Sequence, residues 1–91
     1  MAIVMRAEVP GMTQALYESM IGALTPAIKA APGFIVHAGA PIPGGWEVTE
    51  VWESHEAHDA WMKNHIMPAA KASGMSLPII TVVPAHTVIT K

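Results

Sequence analysis

Glycine and proline punctuation constrains this chain more than any other feature, because it leaves room for only six short elements. Pro10-Gly11, Pro32-Gly33, the run Pro41-Ile42-Pro43-Gly44-Gly45 and Gly74 divide the 91 residues, and each favours a turn over a continuing element. Ahead of the first break, Ala2 to Val9 is apolar and β-rich and reads as a strand. Beyond it Thr13 is placed to cap a helix in which Leu16, Met20, Leu24 and Ile28 recur every four residues, with Tyr17 and Ile21 widening the stripe. That spacing predicts a helix with one face on a core. Pro26 should tighten or kink its last turns, and Pro32-Gly33 should end it.

Phe34 to Ala40 reads as a second strand, residues 41–45 as a turn, and Trp46 to Glu53 as a third strand paired to the second. In the third strand Trp46, Val48, Glu50 and Trp52 share one face and Glu47, Thr49, Val51 and Glu53 the other. Neither face is wholly apolar, so either could meet the helices. Ser54 is placed to cap a second helix, with Glu56 and Asp59 near its positive end. Its inner stripe reads His58, Trp61, Met62, His65, Ile66 and Ala69, with Pro68 late in the helix and Gly74 closing it. Leu77 to Thr90 reads as a last strand interrupted by Pro84, which suggests a sheet edge or a bulge.

The order is β-α-β-β-α-β, one α+β domain of ferredoxin-like type over residues 1–91. A short echo agrees with two βαβ halves: Pro26-Ala27-Ile28-Lys29-Ala30-Ala31 ends the first helix and Pro68-Ala69-Ala70-Lys71-Ala72-Ser73 the second.

Charge narrows the function classes. Five Lys/Arg against seven Asp/Glu leave a net charge of −2, too few cations to neutralise a phosphate backbone, so nucleic acid is excluded as a partner. No apolar run approaches the roughly 18 residues of a membrane span, and Met1 to Arg6 lacks the basic and long apolar segments of a signal peptide. The chain therefore reads as cytoplasmic, with no membrane partner. Charged residues make up 13% against about 25% in an average soluble domain. So few charges cannot cover the surface of so small a domain, which predicts a face covered by a second copy in a homodimer.

The segments Gly33-Phe34-Ile35-Val36-His37-Ala38-Gly39, Gly44-Gly45-Trp46 and Val51-Trp52-Glu53-Ser54-His55-Glu56-Ala57 resemble the antibiotic-biosynthesis-monooxygenase-like family of the dimeric α+β barrel superfamily. That resemblance implies a four-stranded antiparallel sheet with two helices on one face, two sheets packed as a barrel in a dimer, and a ligand pocket between helices and sheet. It implies the activities of such proteins: cofactor-free oxygenation of polycyclic phenols, or haem degradation. For the haem-degrading branch, Trp61 matches the second-helix tryptophan. The axial histidine position falls on Lys71, and the first-strand asparagine position near Arg6 or Ala7. A lysine does not readily replace a neutral imidazole as an axial ligand.

His58, Trp61 and His65 lie at i, i+3 and i+7, on one side of the second helix. One reading is a pocket wall where an aromatic plate stacks on a flat substrate and a histidine accepts its proton, a role suited to a side chain with a pKa near 6.5. The other is a packed stripe with its histidines bonded to backbone carbonyls. His37, among small and apolar residues, is either a buried paired group or a cavity wall, and the Tyr17 hydroxyl either meets solvent or donates to a substrate oxygen. His55 reads as solvated, and His86 as exposed or near a dimer contact. His55-Glu56-Ala57-His58 is one residue short of the His-Glu-x-x-His zinc motif, so no metal is expected. Met5, Met12, Met20, Met62, Met67 and Met75 serve as adaptable core, or as walls for a flat ligand.

With the resemblance, these residues imply an oxygenase-like enzyme that needs no metal or flavin and acts on an aromatic or polyketide-type phenol. His65 or His37 would be the base, with Trp61, Met62, His58 and Tyr17 around the ligand. A non-catalytic binding or dimerisation module and a haem binder are the alternatives.

Overall fold

A computed structural model describes residues 1–74 and 77–91, so Met75 lies outside the described residues. The chain runs β1 (Ile3–Pro10), α1 (Gln14–Ala30), β2 (Phe34–Ile42), β3 (Gly45–Trp52), α2 (His55–Trp61), a π-helical turn (Met62–Ile66), α3 (Met67–Ser73) and β4 (Ile79–Pro84). The four strands form one antiparallel sheet in the order β2-β3-β1-β4. α2, the π turn and α3 form one continuous rod, since Trp61, Met62, Ile66 and Met67 all keep right-handed helical angles. The architecture is the ferredoxin-like α+β fold expected from the element order.

The two inner strands settle which face of the sheet is covered. Ile3, Met5, Ala7 and Val9 of β1 are buried, as are Trp46, Val48, Glu50 and Trp52 of β3. Two tryptophans carry far more apolar area than one carboxylate costs once that carboxylate is hydrogen-bonded. Trp52 is 0% exposed and its ring meets Phe34, His58 and Trp61 at centroid distances of 5.5, 5.9 and 6.1 Å.

Caps hold the helices as their sequences predict. Thr13 Oγ1 accepts the Leu16 N–H at 3.2 Å and Ser54 Oγ the Ala57 N–H at 3.1 Å. Gly74 closes α3 at φ 69°, in the left-handed region that glycine enters without cost. The helix α1 continues past Pro26 to Ala30. Its inner stripe is the expected one but for its first residue: Tyr17, Met20, Leu24 and Ile28 pack on the core, while Leu16 is 48% exposed. The π turn was not expected. Met67 N–H bonds back to the Met62 carbonyl, five residues earlier, and Pro68 just beyond has no N–H to continue a regular α ladder.

Two strands depart from the sequence reading by more than one residue, both for edge reasons. β2 continues through Pro41 and Ile42, leaving Pro43-Gly44 as the turn, because an edge strand can lose one N–H without breaking a ladder. β4 starts at Ile79 and stops at Pro84 rather than reaching Thr90. Pro84 pairs with Ile3 and the Ala85 N–H reaches the Ala2 carbonyl at 2.9 Å, so β1 offers no further partner.

The opposite sheet face is uncovered. Val36, Ile79 and Val83 are 45, 60 and 49% exposed there, beside Val4 and Val51 and an exposed Arg6–Glu47 ion pair at 2.9 Å. Among the described residues no helix is long and apolar enough to cross a membrane.

Candidate functional site

The antiparallel register sets His37 of β2 directly opposite Glu50 of β3 on the covered face, and directly opposed residues share a face. His37 Nδ1 lies 2.6 Å from Glu50 Oε2, and Glu50 Oε1 accepts the Trp52 indole N–H at 2.9 Å. On the other side of the ring, Nε2 lies 2.7 Å from the Tyr17 hydroxyl of α1. Burial, and then the charge of Glu50, push the Tyr17 phenol above its ordinary pKa, so it keeps its proton. The arrangement that satisfies every group has Tyr17 O–H donating to Nε2 and Nδ1–H donating to Glu50. A carboxylate on the far nitrogen of an imidazole fixes its tautomer and the direction in which the near nitrogen points.

Tyr17 reaches this position because residue 39 is glycine. A Cβ built on Gly39 would overlap the Tyr17 ring and come within 3.0 Å of Trp46 Nε1. The tyrosine ring instead lies flat against Trp46, with centroids 4.8 Å apart and planes at 24°.

His37 and Glu50 form the polar end of a cavity of about 70 Å³ between the helices and the sheet, otherwise walled by side chains such as Met5, Met20, Leu24, Trp61 and Met62. A larger apolar groove of about 360 Å³ opens between α1 and α3. Cavity and groove share Val9, Met20, Leu24, Ile66 and Pro78, so the same side chains stand between the two spaces. A third hollow, about 530 Å³ and open to solvent, lies between the end of α1 and α2, with Glu53, Ser54, Trp61, Asn64 and His65 on its wall.

The candidate residues therefore separate into three places. Tyr17, His37, Trp61 and Met62 gather at or beside the inner cavity. His65 stacks on Trp61, with centroids 4.5 Å apart, and borders the outer hollow. Trp61 borders both spaces. His58 is 2% exposed, sits under Trp52, and neither ring nitrogen has a hydrogen-bond partner. Burial holds its pKa below the ordinary value, against the opposing pull of Glu50 and Asp59 and with a smaller push from His55.

Glu50 is the buried charge that sequence reasoning gave no role. Its signal was a charge flanked by inward tryptophans at the i−4 and i+2 positions, where burial requires a partner.

The inner cavity does not fit a haem. The axial position falls on Lys71, exposed on α3, and the inner cavity of about 70 Å³ is far below the roughly 300–1,000 Å³ of ordinary ligand sites. Among the described residues no three His, Cys, Asp or Glu side chains gather as metal ligands.

The sheet order and the position of the two helical rods are those of the antibiotic-biosynthesis-monooxygenase-like fold. Three solved structures define the likeness. SnoaB, a cofactor-independent oxygenase from Streptomyces nogalater, superposes with a TM-score of 0.65 at 22% identity, over 99% of this chain and 96% of its own. A Caulobacter crescentus protein classed with the antibiotic biosynthesis monooxygenases gives 0.75 at 22% identity, over 94% of this chain and 91% of its own. A variant of MhuD that holds two manganese protoporphyrin IX molecules per active site gives 0.68 at 19% identity, over 100% of both chains. At these identities the likeness is one of fold. No family model matches the sequence, and no curated protein is significantly similar to it.

Proposed function

We propose that this chain is a cofactor-independent oxygenase acting on a small hydroxylated aromatic molecule, with His37 as the proton acceptor. The observation that carries the reading is the His37 imidazole held between Glu50 and Tyr17 at the polar end of an apolar cavity. SnoaB supports it at the level of fold. His65, the other candidate base, borders a hollow open to solvent, where a carbanion would be quenched by water.

In this reading the substrate hydroxyl displaces Tyr17 from Nε2 and gives its proton to His37, while Tyr17 turns to donate to the substrate oxygen. Glu50 stabilises the imidazolium that forms. The phenolate carbon ortho or para to the oxygen passes one electron to dioxygen, and the radical pair couples through a new C–O bond. The imidazolium proton completes the hydroperoxide. Loss of the hydrogen on that carbon and cleavage of the O–O bond release water and leave a quinone carbonyl. One oxygen atom enters the product and the other enters water. Trp61 and Met62 hold the ring and exclude solvent. The protein supplies placement and a proton acceptor, and the substrate supplies the electrons.

A screen of hydroxylated aromatics by oxygen consumption tests the assignment. His37→Ala should lower kcat/KM by about 10²–10⁴, the usual contribution of a positioned base, and His65→Ala should change it only a few-fold. A His37→Ala protein as fast as the parent would remove the base. The smallness of the inner cavity, about 70 Å³, favours a second reading, a non-catalytic binding or dimerisation module. Binding without oxygen uptake for every phenol in the screen would select it.

The uncovered sheet face, with Val36, Ile79 and Val83 exposed, supports a homodimer through that face. Sedimentation equilibrium at micromolar concentration should show the dimer mass. Val36→Lys, which sets a charge at the β2 end of the apolar row Val36, Val51, Val4 and Val83, should shift the equilibrium at least tenfold towards monomer. A monomeric parent would end this part of the reading.

A further inference from the structure

The inner cavity and the α1–α3 groove differ in a way that specifies the ligand more closely than the fold does. Among the described residues, His37 and Glu50 are the only charged or titratable side chains on the inner wall, and all the others are apolar. A ligand with polar groups at both ends would bury one of them unmatched and bind more weakly for it. The inner cavity has about 70 Å³, enough for one ring only if a wall side chain gives way. Met5, Met20 and Met62 are there to give way, being unbranched and adaptable. The groove outside has about 360 Å³ and is walled by Met12, Leu16, Ala23, Ala69 and Ala70, with Ser19 and Ser73 as its only polar side chains among the described residues. Leu16, exposed to 48%, lies along it.

The residues that line both spaces, Val9, Met20, Leu24, Ile66 and Pro78, stand between them. A rigid fused ring system reaching both would have to push several of these side chains aside in one plane. A flexible chain needs only a narrow gap between them. We infer that the ligand is a single phenolic ring bearing a flexible apolar chain, with the ring hydroxyl at His37 and the chain laid in the groove between α1 and α3. This rests on the reading of His37 and Glu50 as the polar end of the site, but not on any oxidation taking place there.

The test is a binding series read by calorimetry and by tryptophan fluorescence, since Trp61 lines the inner wall. The probes are phenol, 4-ethylphenol, 4-butylphenol and 4-hexylphenol, with 2-hydroxyanthracene as the rigid comparison. The intact protein should bind each longer chain more tightly, by about fourfold per methylene until the groove is full, the ratio expected for burying one CH₂. Ala23→Trp on α1 and Ala70→Trp on α3 each fill the groove without touching the inner wall. Both should keep the parent's circular dichroism and lose the dependence on chain length. Two variants on different helices guard against one failing to fold.

Affinity that stays flat from phenol to 4-hexylphenol, or the absence of binding to any of them, overturns the inference. So does a 2-hydroxyanthracene complex tighter than the hexylphenol one. Chain-dependent binding without oxygen uptake leaves the ligand class standing and removes the oxygenase reading instead.

Discussion

Glu50→Ala is expected to destabilise the fold by about 3 kcal/mol, measured as a lowered urea midpoint with an unchanged slope. Glu50 is 4% exposed and accepts two hydrogen bonds, from His37 Nδ1 at 2.6 Å and from the Trp52 indole at 2.9 Å. Its removal strands both donors. Trp52 is wholly buried, so its N–H finds no water, and an unsatisfied buried donor costs about 1–3 kcal/mol. The lost side chain also leaves space that the surrounding side chains close only in part. Part of this is offset, because the carboxylate no longer has to be held out of water. Glu50→Gln keeps the shape but turns an N–H towards one of the two donors, so an intermediate loss of about 1–2 kcal/mol is expected. Glu47→Ala, on the uncovered face, should move the midpoint by less than about 0.5 kcal/mol. A Glu50→Ala protein as stable as the Glu47→Ala protein would mean that the Tyr17–His37–Glu50–Trp52 chain does not hold the sheet together.

The same network shows where the sequence was legible and where it was not. Element order could be read because each boundary is a local matter: Thr13 and Ser54 cap, Gly74 turns, Pro10-Gly11 and Pro32-Gly33 interrupt. The core face of β3 was not legible. Its choice depends on whether Glu50 has a partner, and that partner is 13 residues away on another strand, placed by a register that a bulge between Phe34 and Val36 adjusts. His37 and Tyr17 could each be noticed alone, yet their 2.7 Å contact needs Gly39 to leave room for the tyrosine ring. The helical stripe His58, Trp61, His65 was correct in spacing but silent about depth. His58 lies beneath Trp52 and His65 outside Trp61, and the π turn that begins at Met62 alters the angle at which the following residues leave the rod. Periodicity counted at 3.6 residues per turn does not detect an inserted residue of that kind.

His58 raises a sharper question, since the fold gains only its edge contact with Trp52 from it. It is 2% exposed with both ring nitrogens unpartnered, and an apolar side chain of similar size would avoid that desolvation. His58→Leu is therefore expected to raise stability at neutral pH by about 1–2 kcal/mol, with a small further gain because leucine is the better helix former. The acid limb gives an independent reading. Burial lowers the His58 pKa in the folded protein, whereas the unfolded chain titrates near the ordinary 6.5. As pH falls below about 6.5 the unfolded state takes up a proton that the folded state resists, so the parent loses stability until the pH passes below the depressed folded value. Above about 6.5 the linkage vanishes. The leucine variant lacks this component, and its stability should fall less steeply from pH 6.5 downwards in urea titrations at fixed ionic strength. A variant less stable than the parent, or one with the same acid slope, would show that His58 has a hydrogen-bond partner in solution. A variant that is more stable yet loses oxygen uptake would show that the histidine is kept for the reaction, through Trp52 and Glu50 beside it, at the expense of the fold.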